Sequence, residues 1–229
     1  MAYKKYFTLS YDDGVQQDRK LVEIFNRYHL KCTFNINSGF LGTDNTLIRL
    51  GKPVAHNKIA KEEVATLYAG HEVATHSKTH PDLTKLPEKE VIQQIQDDMK
   101  ALSELAGYSV TGHAYPGGTY DRRTADILRD CGISYARTID STHSFLPPAD
   151  PLMWHPTCQH CDERIFDLLD DFIAAKPTDG DMLFYLWGHA YEFDYNVPGH
   201  TWEHIEEICK RIAGKEDIVY CTNIEFLNR

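Results

Sequence analysis

The stretch YFTLSYDDG, residues 6–14, is an apolar segment that ends in two adjacent acidic residues, Asp12 and Asp13, and a glycine. A short apolar run with a turn signal at its end predicts a buried β-strand. Two carboxylates at the end of such a strand repel each other unless a cation absorbs one of the charges. The other interpretation is an acidic pair at a helix N-terminus, where Asp is favoured. The candidate site therefore begins where the first strand ends.

Outward from this stretch, strand-like apolar runs alternate with helix-like periodic segments. The predicted strands are Tyr6–Tyr11, Cys32–Ile36, Glu72–Thr75, Gly112–Tyr115, Ser134–Arg137, Met182–Trp187 and Ile218–Cys221. The predicted helices are Gln17–Tyr28, Lys61–Tyr68, Pro87–Leu105, Arg122–Cys131, Asp162–Ala174, Trp202–Ala213 and Ile224–Leu227. Such alternation predicts an α/β fold with a mostly parallel sheet and helices outside it. We expect one domain over residues 1–229, either a closed or nearly closed barrel or a doubly wound open sheet.

Composition excludes some partners. The formal net charge is −10 and the pI is about 5.6, whereas nucleic acids and anionic membranes attract basic patches. No apolar run approaches the ~20 residues that a membrane span needs. We therefore expect a cytoplasmic protein, with a trimmed export signal as the open alternative, and the sequence leaves the oligomeric state undetermined. The six cysteines are expected to be reduced.

The segment His76-Ser77-Lys78-Thr79-His80 ends the third predicted strand. Histidines at positions i and i+4 share one face of a helical turn, so both imidazoles can reach one ion. Together with Asp13 they form a two-histidine, one-carboxylate set that suits zinc and similar divalent ions and leaves a position open for water. His200 and His204 have the same spacing, but they begin an amphipathic helix that packs through Trp202, Ile205 and Ile208, so they are not expected to bind an ion.

Two further strand ends contain candidate functional residues. Residues 114–120, AYPGGTY, contain glycines that allow close backbone approach to a ligand, although a plain tight turn is the alternative. Residues 186–189, LWGH, place His189 at a strand end, where it is a candidate general acid or else a core or capping histidine. Two long segments, Ser38–Asn57 and Asp140–Cys161, show no regular pattern and are expected to be substrate-binding loops.

Taken in chain order, these four segments resemble those of the polysaccharide deacetylases, carbohydrate esterase family 4 with the NodB homology domain. Residues 10–14, SYDDG, are similar to the family's Thr-Phe-Asp-Asp-Gly motif, and residues 76–80 are similar to its His-Ser/Thr-x-x-His motif. The resemblance implies an irregular (β/α)7 barrel. It also implies removal of N-acetyl, or in some relatives O-acetyl, groups from an amino sugar, oligosaccharide or polysaccharide by metal-activated water.

The resemblance further implies a role for each matched residue. Asp12 is the general base, the backbone N–H of Gly117 stabilises the oxyanion, and His189 protonates the departing amine. One divalent ion, most often zinc and in some cases cobalt or nickel, is held by Asp13, His76 and His80.

The chain departs from the family at the third motif. The usual Phe-Arg-x-Pro-x-Gly reads His-Ala-Tyr-Pro-Gly-Gly at residues 113–118, so Ala114 replaces the arginine that pairs with the base. We hypothesise that Arg137, at the end of the next strand, supplies this guanidinium. Glu192 or Asp194 is the candidate partner of the catalytic histidine.

Candidate sugar contacts come from the same segments. They are Tyr115, Pro116, Trp154 and Trp187, with Trp154 as a groove-wall aromatic and a buried core position as its alternative. A structural zinc site is the alternative to a plain loop for His155, Cys158, His160 and Cys161.

Two other functions stay open on the sequence. A related amidase acting on a small cyclic or linear amide is compatible with the Ala114 departure. A carbohydrate-binding relative without catalysis is the third possibility, and the retained Asp12, Asp13, His76, His80 and His189 argue against it.

Overall fold

The structure is a computed structural model that describes residues 3–229. Its strands are β1 (Lys5–Asp12), β2 (Cys32–Ile36), β3 (Thr46–Arg49), β4 (Lys52–Ala55), β5 (Glu72–Thr75), β6 (Gly112–Ala114), β7 (Tyr135–Arg137), β8 (Cys158–Gln159), β9 (Met182–His189) and β10 (Ile218–Tyr220). Its α-helices are α1 (Asp18–Arg27), α2 (Val64–Leu67), α3 (Glu88–Ala106), α4 (Arg122–Asp130), α5 (Ile165–Ala174), α6 (Trp202–Ile212) and α7 (Asn223–Leu227).

The main sheet is parallel and centred on β1. Its order is β7-β6-β5-β2-β1-β9-β8, and β10 also pairs with the first residues of β1. Every residue of β1 is buried, as expected for a strand covered on both faces. The predicted α/β fold and irregular (β/α)7 barrel are thus confirmed, and the doubly wound open sheet is not observed.

The barrel is irregular where β7 approaches β9. The backbone N–H of Trp154 donates to Ala136 O at 2.9 Å, and that of Thr138 donates to Trp154 O at 3.0 Å. Further along, Thr157 N–H donates to Tyr185 O at 2.8 Å. The segment of residues 154–159 therefore hydrogen-bonds to both edges, with only the two residues of β8 in regular strand pairing.

The predicted irregular segment Ser38–Asn57 contains a β-hairpin, so that prediction is wrong for its second half. Strands β3 and β4 pair antiparallel around a two-residue turn in which Leu50 and Gly51 have φ angles of 50° and 73°. Glycine takes such angles readily, but leucine seldom does, so Leu50 and Gly51 do not form a clear turn signal. Segment Asp140–Cys161 likewise contains β8, and Lys61–Tyr68 is a 3-10 turn followed by the short α2.

Two further expectations concerned membrane-spanning segments and the state of the cysteines. Among residues 3–229, no helix combines the length and the apolarity required to cross a membrane. All six cysteines are free thiols, and four of them are buried.

Candidate metal centre and active site

The carboxyl ends of β1, β5 and β9 open into one cavity of about 700 Å³. In a parallel barrel this end of the sheet is where active sites form. The cavity wall contains most of the residues that the motifs singled out: Asp12, Asp13, His76, His80, Gly117, Trp187 and His189.

The predicted metal ligands come together in this cavity. One ligand atom from each of Asp13, His76 and His80 lies within 4.8 Å of the other two. The Nδ1 of His76 lies 2.8 Å from Ala114 O, which fixes the ring and leaves Nε2 for a ligand. Burial lowers the pKa of His76 to about 4, so its imidazole is neutral. This donor set fits a divalent first-row ion.

Two residues beside Asp13 were not predicted. His56 Nε2 lies 3.1 Å from one carboxylate oxygen of Asp13, and Lys58 Nζ lies 3.6 Å from the other. Burial raises the pKa of Asp13, but these two contacts outweigh it and hold that pKa well below its usual range. Asp13 is therefore a carboxylate at neutral pH. Both partners come just after β4, the second strand of the hairpin that the sequence did not reveal.

Asp12 is clamped by two side chains. Asn35 Nδ2 donates to its Oδ1 at 2.8 Å, and the Arg137 guanidinium donates to its Oδ2. Burial raises the pKa of Asp12, but the positive charge of Arg137 and nearby imidazoles bring it below its usual value. The hypothesised Arg137–Asp12 contact is confirmed. Ala114 of β6 and Arg137 of β7 are direct partners in the sheet register, so the guanidinium has moved to the adjacent strand.

His189 ends β9 directly opposite Asp12 in the register with β1. Its Nε2 lies 3.9 Å from Asp12 Oδ2, and its Nδ1 lies 3.2 Å from Glu192 Oε1. Burial lowers the pKa of His189, but Glu192 and the two aspartates raise it overall to about 9. Of the two predicted acidic partners, Glu192 is the one in contact. Asp194 instead accepts from Gln17 Nε2 at 2.8 Å.

The turn after β6 completes one side of the cavity. Gly117 has a φ of 61° within the 3-10 turn Pro116–Gly118, and its missing Cβ faces open space. Pro116 is buried. Tyr115 is 1% exposed and donates its hydroxyl to Leu152 O at 2.8 Å, so only a small part of its ring borders the cavity.

The predicted role of Trp154 as a groove-wall aromatic is wrong. Its side chain is 1% exposed and packs against Tyr135, Tyr185 and Phe226 in the interior. The segment closes the barrel, and this turns the indole inward. Trp187 does line the cavity, with the guanidinium of Arg137 4.6 Å from its ring.

The Cys/His segment does not form the site that the sequence suggested. His155 contacts the hydroxyl of Thr138 at 2.7 Å, and Cys158 is buried within β8. His160 and Cys161 instead approach His200 from the turn before α6.

Asp12 and His189 lie beside the Asp13–His76–His80 cluster at the carboxyl ends of parallel barrel strands, where barrel enzymes have their active sites. The chain belongs to the polysaccharide deacetylase family, whose sequence profile matches residues 2–136. Over 127 residues it is 30% identical to a peptidoglycan-N-acetylglucosamine deacetylase of Listeria monocytogenes, and over 148 residues it is 26% identical to a chitooligosaccharide deacetylase of Rhizobium leguminosarum. These matches cover 54% and 64% of the chain. The chain spans only 24% and 55% of those two proteins.

Solved structures agree on the fold. A family 4 carbohydrate esterase from Streptomyces lividans in complex with acetate has a TM-score of 0.56 at 16% identity, over 95% of this chain and 92% of that one. A family 4 pseudoenzyme from Bacillus anthracis has a TM-score of 0.61 at 18% identity, over 99% of this chain and 66% of that one. One of these two structures is of a pseudoenzyme, so a likeness in fold does not by itself establish activity.

Proposed function

We propose that the chain is a metal-dependent deacetylase that hydrolyses the N-acetyl group of an amino sugar or a short oligosaccharide, with O-acetyl sugars as further substrates. The family membership and the named activities of its relatives support the reaction class. A cavity of about 700 Å³ is within the size range of small-molecule sites. A single acetylated sugar or a few units of an oligomer is therefore the expected ligand.

One observation carries the proposal: Asp12 and His189 face each other across 3.9 Å with opposite ionisation. The pKa of Asp12 is lowered and that of His189 is raised to about 9. At neutral pH the first is a carboxylate and the second is an imidazolium. Two neighbouring groups whose environments separate their pKa values in this way are suited to act as base and acid.

The reaction follows from these positions. Asp12 accepts a proton from the water whose oxygen attacks the acetyl carbonyl carbon. In this proposal the backbone N–H of Gly117 stabilises the oxygen that becomes negative, and the open space where a Cβ would lie leaves room for the substrate. His189 donates its Nε2 proton to the amine nitrogen as the C–N bond breaks, which releases acetate and the free amino sugar.

Asp13, His76 and His80 would hold a divalent ion, and we propose zinc, with cobalt or nickel as substitutes. When bound, such an ion polarises the carbonyl oxygen and lowers the pKa of water. The chain supplies two imidazoles, of which His76 is neutral, and one carboxylate that Lys58 and His56 keep ionised.

An acetate-release screen with metal-stripped and zinc-reloaded protein tests the proposal. The panel contains N-acetylglucosamine, chitin oligomers, peptidoglycan fragments and O-acetylated sugars. We expect acetate from at least one of them, and only after metal is restored. Ammonia or ring-opened products from cyclic or linear amides would instead establish the amidase alternative. Sugar binding without turnover across the panel would contradict the proposal.

Two variants separate the base from the metal site. Asp12→Asn is expected to lower turnover by ~10²–10⁴-fold, the usual contribution of a general base, while the protein retains its metal. His80→Asn is expected to lose metal affinity because a ligand is removed, and Asn tolerates the φ of 54° found there. His29→Asn is the matched control, because His29 is exposed and has the same φ of 54°.

A further inference from the structure

A second cluster of potential metal ligands lies outside the cavity at the carboxyl ends of β1, β5 and β9. It consists of His160 and Cys161, just after β8, and His200, in the turn just before α6. One ligand atom from each lies within 4.8 Å of the other two. His160 and Cys161 are adjacent in the sequence, whereas His200 lies 39 positions after Cys161, so the fold brings His200 to the other two.

His160 is the unusual member of this cluster. Its side chain is fully buried, and among residues 3–229 neither of its ring nitrogens has a hydrogen-bond partner. Glu192 Oε2 lies 3.2 Å from Nε2, but without hydrogen-bond geometry. Buried polar atoms are normally paired in folded proteins. A buried imidazole whose nitrogens have no hydrogen-bond partner in the described part of the chain, at the edge of a Cys–His cluster, is a candidate metal ligand.

The surrounding residues hold this imidazole in place. Its ring is parallel to that of Tyr11, with 5.8 Å between centroids, and its centroid lies 4.5 Å from that of Phe193. A Cβ on Gly188 would come within 1.9 Å of His160 Nδ1, so that glycine makes room for the ring. His204 Nε2 lies 2.8 Å from the backbone carbonyl of His160. The histidine is therefore positioned before any ligand arrives.

We propose that His160, Cys161 and His200 form a second metal site that binds a zinc-class transition-metal ion. Two imidazoles and a thiolate suit such ions, whereas magnesium and calcium prefer oxygen ligands. Tetrahedral coordination brings the ligand atoms to about 3.3–3.7 Å from one another. The half-buried Cys161 and His200 would make that contraction, because His160 is fixed. Cys161 would lose its proton to solvent on binding.

The location gives the ion a structural role. It would tie the segment after β8 to the turn before α6. His160 in the first of these segments lies beside Glu192, the residue that contacts His189. The proposal does not depend on the deacetylase activity, since the two clusters share no residue.

Cobalt(II) titration of the metal-stripped protein, kept reduced by a non-thiol reductant, tests this site separately. We expect two equivalents to bind, and one of them to give a thiolate-to-cobalt charge-transfer band in the near ultraviolet. Asp13, His76 and His80 contain no sulfur, so the band reports only on the proposed second site.

Single substitutions show which residues give rise to the thiolate-to-cobalt band. Cys161→Ser and His200→Ala are each expected to abolish it and to remove one of the two equivalents, while Cys131→Ser, a half-buried free cysteine at the end of α4, leaves both unchanged. His80→Asn should keep the band and lose the other equivalent. If Cys161→Ser does not fold, His200→Ala decides, because His200 lies in a partly exposed turn.

Two results would overturn the proposal: wild-type protein that binds cobalt without any thiolate band, or a band that persists in Cys161→Ser or in His200→Ala. Loss of acetate release with the band intact would count against the proposed function and not against this site.

Discussion

The Nδ1 atom of His189 lies 3.2 Å from Oε1 of Glu192, three residues further along the same turn. Burial disfavours a charged imidazole, yet this carboxylate and the aspartates nearby raise the pKa of His189 to about 9. Glu192 also accepts a hydrogen bond from Gln159 Nε2 at 3.1 Å, and this bond holds its carboxylate in place. The pair keeps the candidate general acid protonated at neutral pH.

Glu192→Gln should move the alkaline limit of activity to lower pH. In the proposed reaction His189 acts in its protonated form, so activity is expected below its pKa and is lost above it. Without the carboxylate, burial dominates and the pKa falls. The pH dependence of kcat/KM measures this shift. Asp194→Asn is the control, since Asp194 contacts Gln17 and Trp202, and an unmoved limit in Glu192→Gln would exclude the positioning role.

Arg137→Ala should move the acidic limit of activity to higher pH. In the proposed reaction Asp12 acts as a carboxylate, so activity is expected above its pKa, and burial raises that pKa once the guanidinium is gone. We expect kcat/KM at neutral pH to fall by ~10²-fold or more, because the base is both mispositioned and partly protonated. An unchanged pH–rate profile in Arg137→Ala would contradict the assignment.

A second substitution tests whether the position of the guanidinium matters. Ala114→Arg introduced into Arg137→Ala places the group on the neighbouring strand, at the register partner of Arg137. Partial recovery of kcat/KM and of the acidic limit is the expected result, measured beside Arg137→Lys, which keeps the charge but loses the planar fork.

Trp154→Ala should weaken folding far more than it changes substrate binding. The indole is in the core, against Tyr185 and Phe226, and removing such a side chain costs ~3–5 kcal/mol of unfolding free energy. Urea unfolding measures the loss. Trp154→Phe should retain the wild-type KM, whereas Trp187→Ala should raise it, because Trp187 lines the cavity. A raised KM in Trp154→Phe would restore the groove-wall interpretation.

Asp18 should make stability depend on pH. It is fully buried, with Tyr68 donating its hydroxyl at 2.7 Å, and burial raises its pKa from 3.8 to about 8. The folded state retains a proton that the unfolded state releases above pH 3.8, so this contribution to stability is lost as pH rises toward about 8.

Asp18→Asn should therefore lose less stability than wild type between about pH 5 and about pH 8, as measured by urea midpoints. Asp167→Asn is the matched control, because Asp167 is an exposed acid in the first turn of α5. Parallel pH profiles for wild type and Asp18→Asn would show that Asp18 is ionised in the folded protein.

The sequence predicted the buried parts of the fold better than the exposed ones. Strands β2 and β5 have the predicted bounds, because apolar runs with clear turn signals mark both ends. The β3–β4 hairpin was missed, since its strands are largely exposed and its turn places Leu50 at a positive φ. Strand β8 is too short to leave any periodic pattern.

In the candidate site, too, some residues were predicted from the sequence and others were missed. The residues of the local motifs, such as Asp13 and His76, were predicted because two short segments contain them. His56 and Lys58 were missed, since only the folded loop brings them to Asp13. Trp154 was misplaced because its segment looks like a surface loop and yet hydrogen-bonds to the barrel.

The register between Ala114 and Arg137 has a consequence for how members of this family are compared. A guanidinium can arrive at the same carboxylate from either of two adjacent strands, so the loss of arginine from one signature does not by itself mark a chain as inactive. Sorting working enzymes from degenerate copies therefore requires reading across the sheet as well as along each motif. When a catalytic residue is absent from one strand, the neighbouring strand should be searched for a replacement before catalysis is ruled out.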